Sequence, residues 1–211
     1  MPKQTFFNLP QEKKENLITA AKKEFSRVPL YKASISNIIK TAEIPRGSFY
    51  QYFEDLEDLF LFVLSDSSMD IRQQLIYGLK EFNGDLFCAF EEMFKHLLMC
   101  FKDKGNADFF KNTFLNMNHR IEKTFTPNIC KEKAMEQRRE FLSLVDLSKL
   151  NINSKEEVPY VLQIMMAITM HNLIQIFAKN LSFEEAIKIY KIEIDMIKKG
   201  ISSENNRHSN N

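Results

Sequence analysis

The 211-residue chain has no Trp, five Gly, six Pro and three Cys. Scarce Gly and Pro argue against sheets joined by many tight turns and favour long helices. The Cys residues are odd in number and widely spaced, without a CxxC or a Cys–His cluster, so they indicate reduced thiols and no zinc site. The amino-terminal residues lack the apolar stretch of a signal peptide. We therefore predict a helical, cytoplasmic protein without a bound metal.

Long apolar runs are also rare, and one of them needs an explanation. Residues 158–178 contain no charged side chain over a length that could span a membrane, which takes about 20 residues. Six residues in this run would be costly in hydrocarbon: Pro159, Gln163, Thr169, His171, Asn172 and Gln175. The run therefore predicts a helix covered on several sides by protein, and no membrane partner.

Charge is nearly balanced in total, at +1, but it is uneven along the chain. Residues 1–52 carry nine Lys and Arg against four Asp and Glu, whereas the remaining residues carry 20 against 24. A basic segment joined to an acidic body is typical of a module that contacts phosphates attached to one that does not.

Helical spacing dominates the sequence, and no strand alternation or internal repeat interrupts it. Pro10 opens a first predicted helix that Pro29 ends, and Ser34 is the predicted N-cap of a short second helix. A three-residue break follows, and Pro45 opens a third helix that runs to Phe53. Three short helices with a tight break before the last are the helix-turn-helix arrangement, whose third helix enters the major groove of DNA.

The stretch IPRGSFYQYF (residues 44–53) indicates how this third helix is oriented. Phe49 and Phe53 are four residues apart and can pack on a small core, which leaves the polar side chains on the other arcs. Arg46 can pair with guanine or with a phosphate, Gln51 can read adenine, and the hydroxyl groups more often hold phosphates. The predicted DNA-binding residues are Ser34, Ser36, Pro45, Arg46, Gly47, Ser48, Tyr50, Gln51 and Tyr52.

A longer fourth helix follows the third. Asp55 and Asp58 form its predicted capping pair, and either Gly78 or Gly84 ends it. Later breaks delimit roughly five further helices. We predict a helix-turn-helix DNA-binding domain over residues 1–54, a second helical domain over residues 55–201, and a disordered tail over residues 202–211.

These motifs resemble the tetracycline-repressor (TetR) family of bacterial transcription regulators. Residues 34–42 (SISNIIKTA) resemble the second helix of that family, residues 44–53 resemble its recognition helix, and Glu57-Asp58-Leu59 resembles the acidic start of its fourth helix. Two residues depart from the family pattern. Glu43 stands where the family usually has a turn Gly, and Leu56 stands where a Lys often meets the DNA backbone.

The resemblance implies an all-α fold with an N-terminal three-helix helix-turn-helix DNA-binding domain and a C-terminal helical domain for ligand binding and dimerisation, about nine helices in all. It also implies a homodimer on double-stranded operator DNA. In this family a small effector tilts the fourth helix, changes the distance between the two recognition helices and releases the operator, with repression as the commoner outcome.

Two apolar stripes mark the last predicted helix, which the capping box Ser182-Phe-Glu-Glu185 opens. One stripe contains Ile187, Tyr190, Ile194, Ile197 and Ile201, and the other contains Ile189, Ile192 and Met196. We expect one stripe to face the subunit core and one to face a partner, with the last two helices forming a four-helix bundle with their copies. The predicted dimer-interface residues are Met165, Thr169, Ile187, Tyr190, Ile194 and Ile197.

Phe and Met are concentrated between residues 85 and 125, and further Met residues follow at 165–170. Such stripes are often plain core, but their collective excess favours a soft, lipophilic pocket for a long or planar apolar effector. The predicted pocket residues are Phe90, Met93, Phe94, Phe101, Phe110, Phe114, Met117, Met166, Met170 and His171.

Two other functions compete with that of a ligand sensor. Helical bundles host di-iron chemistry through Glu-x-x-His pairs, but Glu92-x-x-x-His96 and His119-x-x-Glu122 do not repeat as such a site requires. A Gly-rich phosphate loop and a GxSxG motif are also missing, so we predict no enzyme activity and no cofactor. A helix-turn-helix protein without a small-molecule effector, controlled by a protein partner, carries the same motif and stays open as the alternative.

Overall fold

A computed structural model of the chain describes residues 2–116, 118–119, 121, 139 and 141–200, with backbone alone at residues 68–70. Every regular element in these ranges is helical, so the prediction of an all-α fold is confirmed. The α-helices that lie wholly within these ranges are α1 (Gln4–Phe7), α2 (Gln11–Arg27), α3 (Ile35–Thr41), α4 (Arg46–Tyr52), α5 (Leu56–Glu81), α6 (Leu86–Cys100), α7 (Lys104–Phe114), α8 (Val158–Lys179) and α9 (Phe183–Lys199).

Two compact units make up the chain. The first unit combines Met1–Gln73 with Leu97–Met135, and the second combines Gln74–His96 with Glu136–Asn211. Helices α5 and α6 therefore contribute residues to both units. The predicted division of function at residues 54 and 55 stays a prediction, and the predicted disordered tail lies outside the described residues.

The core of the first unit is built on the apolar face of α2. Leu17 and Phe25 on this helix are about 1% exposed, because apolar residues three, four and seven positions apart share one helix face. The Phe25 ring meets the edge of Phe60 from α5, with ring centroids 5.0 Å apart, and Phe60 in turn packs on Phe109 from α7 at 6.0 Å. These aromatic contacts hold α2, α5 and α7 around one core.

The end of helix α5 resolves the two alternatives drawn from the sequence. The helix continues through Gly78, where a Cβ atom would stand 3.0 Å from the Cα atom of Ala89, so a side chain at this position would prevent the close approach of α6. Gly84 lies just past the helix with φ +76, and its N–H group donates to the Leu79 carbonyl over 2.7 Å. Asn83, at φ 50, is the left-handed residue of this Schellman-type turn, so Asn83 and Gly84 together end the helix.

The second unit contains the predicted capping box at the start of α9, and this prediction is confirmed. The Glu185 N–H group donates to Ser182 Oγ over 3.2 Å, and the Ser182 N–H group donates back to Glu185 Oε2 over 2.9 Å. Tyr190 then stacks on Phe94 with ring centroids 3.9 Å apart, and its hydroxyl lies 2.8 Å from Thr169 Oγ1 of α8. Burial raises the pKa of the Tyr190 phenol, so this hydroxyl stays neutral and hydrogen-bonded.

The assignment of the two stripes on α9 was wrong. Four of the six residues predicted for the dimer interface are buried within the subunit: Met165, Thr169, Tyr190 and Ile194. The other two, Ile187 and Ile197, are half-buried. The stripe that stays on the surface is the second one, in which Ile189, Ile192 and Met196 are 38%, 46% and 59% exposed.

Among the described residues, the buried side chains of helix α8 lie along one side, at Val158, Met165, Thr169, Asn172 and Leu173. The segment Lys155–Lys179 is long and apolar enough to cross a membrane by length and composition alone, and 22% of its most apolar window is buried. The outward side carries Tyr160 and Ile164, which are 66% and 51% exposed. The coverage of this helix on several sides stays a prediction.

Candidate nucleic-acid interface

Helix α4 turns its aromatic side inward and its polar side outward. Phe49 and Phe53 are fully buried, with ring centroids 6.0 Å apart. Arg46 and Gln51 are exposed, and Tyr50 is 43% exposed. This is the orientation that the spacing of the two Phe residues predicted, and it leaves a guanidinium, an amide and a phenol free to meet a polar polymer.

A buried carboxylate anchors the start of α3. Ser34 occupies the predicted N-cap position, but its side chain forms no capping bond. The Ser34 N–H group instead donates to Glu24 Oε1 over 2.9 Å, and Asn37 Nδ2 donates to the same oxygen over 3.0 Å. Arg27 completes the cluster, because its Nε donates to Glu24 Oε2 over 2.9 Å. Glu24 thus joins the end of α2 to the first turn of α3.

The charge of this carboxylate is stabilised although its side chain is only 5% exposed. The hydrogen bond from Arg27 lowers the pKa of Glu24 most, burial opposes this effect, and the bonds from Asn37 and the Ser34 N–H group lower the pKa further. The net result is a pKa below the usual value of a Glu side chain. Glu24 is therefore ionised at neutral pH and accepts all of these bonds at once.

The turn between α3 and α4 contains the first departure from the family pattern. Glu43 has φ 54, in the left-handed region that favours Gly. The Ile44 N–H group donates to the Ile39 carbonyl over 3.0 Å, which is the bond that closes a Schellman motif after a helix. The turn is therefore of the type that the family forms with Gly, and Glu43 adopts it at a cost of about 1–2 kcal/mol.

The nine predicted DNA-binding residues all lie at least partly on the surface. Six of them are exposed, namely Ser36, Pro45, Arg46, Gly47, Tyr50 and Gln51. Three are half-buried, namely Ser34, Ser48 and Tyr52. A Cβ atom on Gly47 would meet nothing within 4 Å, so the backbone here is open to a close approach from outside. Contact of each residue with DNA stays a prediction.

The start of α5 confirms the predicted capping pair. The Asp58 N–H group donates to Asp55 Oδ1 over 2.7 Å, and the Glu54 N–H group donates to Asp58 Oδ2 over 3.2 Å. Leu56, the second departure from the family pattern, is half-buried as the first residue of the helix. Two alternatives stay open for the phosphate contact: it is missing, or Lys32 or Lys40, both exposed, supplies it.

The residues of the predicted effector pocket are distributed over both compact units. In the second unit, Phe90, Met93 and Phe94 are buried, Met166 and Met170 are half-buried, and His171 is exposed. In the first unit, Phe110 and Phe114 are buried and stacked at 5.7 Å, and Phe101 packs on Phe110 at 5.3 Å. Met117 lies outside the described residues. The pocket assignment stays a prediction.

Two small cavities occur among the described residues. One, of about 110 Å³, lies in the second unit beside Phe94, Ile187 and Tyr190. The other, of about 140 Å³, lies in the first unit beside Tyr31, Phe60 and Asn112. Both are smaller than the roughly 300–1,000 Å³ of a typical small-molecule site. Neither cavity could hold a long apolar ligand without a rearrangement.

The sequence analysis missed two features of this region because neither belongs to a recognisable motif: the buried carboxylate of Glu24 and the packing of residues 2–9. Glu24 lies on the apolar face of α2 between Leu17 and Phe25, and an acid at such a position is the signal of a buried, paired carboxylate. Residues 2–9 precede the helix-turn-helix pattern. The adjacent Phe6 and Phe7 are the sequence signal that this segment packs on the protein, and the Phe6 ring contacts Phe53. Phe6 is 2% exposed.

Comparisons with known proteins agree with this geometry. The family model "Tetracyclin repressor-like, C-terminal domain" matches residues 85–201, more than half of the chain, and the model "Bacterial regulatory proteins, tetR family" matches residues 17–63. The chain belongs to the TetR family of bacterial transcription regulators, as the resemblance predicted, and it is a DNA-binding protein.

Individual relatives are more distant. The chain is 28% identical over 88 residues to the HTH-type transcriptional regulator AcrR of Shigella flexneri, a match that covers 42% of this chain and 41% of AcrR. It therefore spans less than half the length of this curated relative.

Two crystal structures share the fold. FadR from Bacillus subtilis, in complex with stearoyl-CoA, has 12% identity and a TM-score of 0.59 over 89% of this chain and 99% of that chain. A TetR transcriptional regulator from Rhodococcus sp. RHA1 has 12% identity and a TM-score of 0.50 over 91% and 99%. At these identities the likeness shows the fold alone.

Proposed function

We propose that the chain is a cytoplasmic, homodimeric repressor that binds a palindromic operator and leaves it when a small lipophilic effector binds. The observation that carries the DNA-binding part is the orientation of α4. Its two Phe rings are fully buried while Arg46 and Gln51 are exposed, so the groups able to form bidentate contacts with guanine and adenine face outward.

The surface of α8 and α9 supports the homodimer. Their outward sides carry five large apolar residues: Tyr160, Ile164, Ile189, Ile192 and Met196. A surface of this kind is typical of a protein–protein contact. If the same surface of a second copy covers it, the two recognition helices are related by a two-fold axis and require a near-palindromic operator.

The proposed effector is inferred from the apolar side chains inside the chain. Buried Phe and Met residues such as Phe90 and Met93 make the chain rich in deformable apolar side chains. FadR, which shares the fold, was crystallised with stearoyl-CoA, which makes long acyl thioesters the first compounds to screen. Thermal-shift screening with lipids, acyl-CoA thioesters, dyes and bile-type amphiphiles would find an effector, and a hit should also release operator DNA.

One observation favours the second candidate function, a helix-turn-helix regulator without a small effector that a protein partner controls. Two cavities that described residues line measure about 110 and 140 Å³, below the roughly 300–1,000 Å³ of a typical small-molecule site. A blank screen across all four compound classes, with operator binding intact, would support this second function and contradict the first.

Two substitutions test the DNA-binding role. Arg46→Ala and Tyr50→Ala should each weaken binding to an operator duplex, selected from random DNA by the parent chain, by about fivefold or more, because the loss of one DNA contact costs about 1–3 kcal/mol. The control is Tyr77→Ala, which removes an exposed Tyr (59%) from α5 outside the helix-turn-helix. All three variants should keep the oligomeric state of the parent. Operator binding of Arg46→Ala at parental strength would contradict the proposed orientation of α4.

A further inference from the structure

The amino-terminal segment ahead of the helix-turn-helix motif lies against the carboxyl end of α4. The Lys3 N–H group donates to the Tyr52 carbonyl over 2.8 Å, and Lys3 Nζ donates to the Tyr50 carbonyl over 2.8 Å. The Thr5 hydroxyl donates to the Gln51 carbonyl between them. Two residues of this segment therefore bind the last three carbonyl groups of the recognition helix.

Among the described residues, no other group donates to these carbonyls. The last four carbonyls of any α-helix have no intrahelical donor, and α4 contains only the seven residues Arg46–Tyr52. A helix this short is not stable by itself in water. No Gly follows α4 to close it with a left-handed turn, since Phe53 is extended at φ −128. The ammonium group of Lys3 also stabilises the negative end of the helix dipole.

Phe6 connects the same segment to the rear of α4. Its ring lies 5.0 Å from the Phe53 ring and 5.1 Å from the Phe62 ring, measured between centroids. It is 2% exposed, so it belongs to the aromatic cluster that supports the recognition helix. Polar contacts at the end of α4 and an aromatic contact behind it thus come from a single stretch of the chain.

We propose that residues 2–7 form a positioning element for DNA recognition, which fixes the last turn of α4 through Lys3 and Thr5 and does not contact DNA itself. Tyr50, Gln51 and Tyr52 stand on the turn whose carbonyls are bound, so fraying of this turn would displace the side chains that face the operator. The inference rests on the proposed role of α4 in reading DNA.

A matched pair of substitutions at Thr5 tests the positioning role. Thr5→Val keeps the shape of the side chain and removes the donor, whereas Thr5→Ser keeps the donor. Thr5 is exposed, so neither change should alter the thermal unfolding of the full chain appreciably. We expect Thr5→Val to bind the selected operator duplex about three- to tenfold more weakly than the parent, and Thr5→Ser to bind within about twofold of it. Binding of random-sequence DNA should not change.

Hydrogen exchange gives a readout independent of DNA. The Phe53 amide, which donates to the Phe49 carbonyl over 2.9 Å, should exchange faster in Thr5→Val than in Thr5→Ser, while the amides of α2 stay unchanged. Gln4→Ala, at the exposed neighbouring position, is the control and should behave as the parent in both measurements.

Lys3→Ala separates positioning from direct contact with DNA. A lysine that neutralises a phosphate contributes about 0.9 per contact to the slope of log affinity against log salt. Loss of operator affinity with an unchanged slope supports positioning, and a reduced slope overturns it in favour of a phosphate contact. Parental operator binding by Thr5→Val also overturns the inference. If the parent chain itself selects no duplex, the proposed DNA-reading role of α4 fails, and this inference fails with it.

Discussion

The recognition helix α4 and the carboxyl-terminal helix α9 both bury an aromatic or aliphatic face, but they leave opposite kinds of surface outside. The outward side of α4 carries Arg46, Tyr50 and Gln51, whereas that of α9 carries Ile192 and Met196 among its exposed residues. A polar surface is well solvated alone and can exchange water for the polar groups of DNA. An exposed apolar stripe gains free energy only when another apolar surface covers it.

The two helices also differ in what keeps them folded. Helix α9 has 17 residues and its own capping box at Ser182 and Glu185. Helix α4 has seven residues and no side-chain cap at its start, and its partners come from outside: the Phe6 ring and the donors of Lys3 and Thr5. A short helix such as α4 is thus held in place by a segment that lies outside the helix-turn-helix.

The largest expected effect comes from placing a charge in the apolar stripe of α9. Ile192→Glu would bury a carboxylate in the proposed subunit contact, which costs several kcal/mol when the charge is unpaired. We expect the variant to sediment as a monomer at micromolar concentration in analytical ultracentrifugation. We also expect at least about 100-fold weaker operator binding, because a monomer contacts only one half-site of the operator.

Lys191→Glu is the matched control, because it introduces the same side chain one residue earlier, about 100° around the helix. Lys191 is exposed, and the variant should stay dimeric. A dimeric Ile192→Glu variant would remove the contrast between the polar and apolar helices and would require a different subunit contact.

Local spacing was enough to predict the inward and outward faces of α4. Phe49 and Phe53 are four residues apart, and a single turn of helix geometry places them together. The capping box at Ser182 and Glu185 was predictable for the same reason, since its two bonds join residues three positions apart. Features that depend on one or two helical turns follow from the sequence because no distant residue takes part in them.

Features that depend on contacts between distant residues could not be predicted from the sequence. The periodicity of α9 indicates two apolar stripes but not which one is internal, because the choice depends on the stacking of Tyr190 on Phe94 and its bond to Thr169. Lys3 and Tyr50 are 47 residues apart, and the bond between them leaves no spacing pattern. Neither the inner stripe nor the amino-terminal contact could therefore be read from local periodicity.

The next largest effect is expected at Glu24, whose carboxylate joins α2 to the first turn of α3. Glu24→Gln should lower the free energy of unfolding by about 1–3 kcal/mol, because it weakens the charge-assisted bonds from Arg27, Asn37 and the Ser34 N–H group. The pKa of Glu24 is lowered in the folded chain, so its contribution to stability is present above the pKa of the unfolded chain and lost as the pH falls through the folded-state pKa. Denaturant unfolding of both proteins should show a difference that shrinks with acidification.

Glu12→Gln is the control for this measurement. Glu12 is an exposed carboxyl in the first turn of the same helix, and its replacement should change the free energy of unfolding by less than about 0.5 kcal/mol at neutral pH. A Glu24→Gln variant as stable as the parent would show that α3 does not depend on this carboxylate.

The smallest expected effect is a gain, at the turn that joins the two helices of the motif. Glu43→Gly should raise the free energy of unfolding by about 1 kcal/mol, because Gly adopts φ 54 without the steric cost of a side chain, less the added entropy of the unfolded chain. Lys40→Gly, in the right-handed part of the preceding helix, should lower it by about 1 kcal/mol. Opposite signs at positions three residues apart would show that backbone conformation, and not the loss of a charged side chain, sets the stability of this turn. If both substitutions destabilise, Glu43 forms contacts that outweigh its strained backbone, and the outer surface of the motif contributes to its stability.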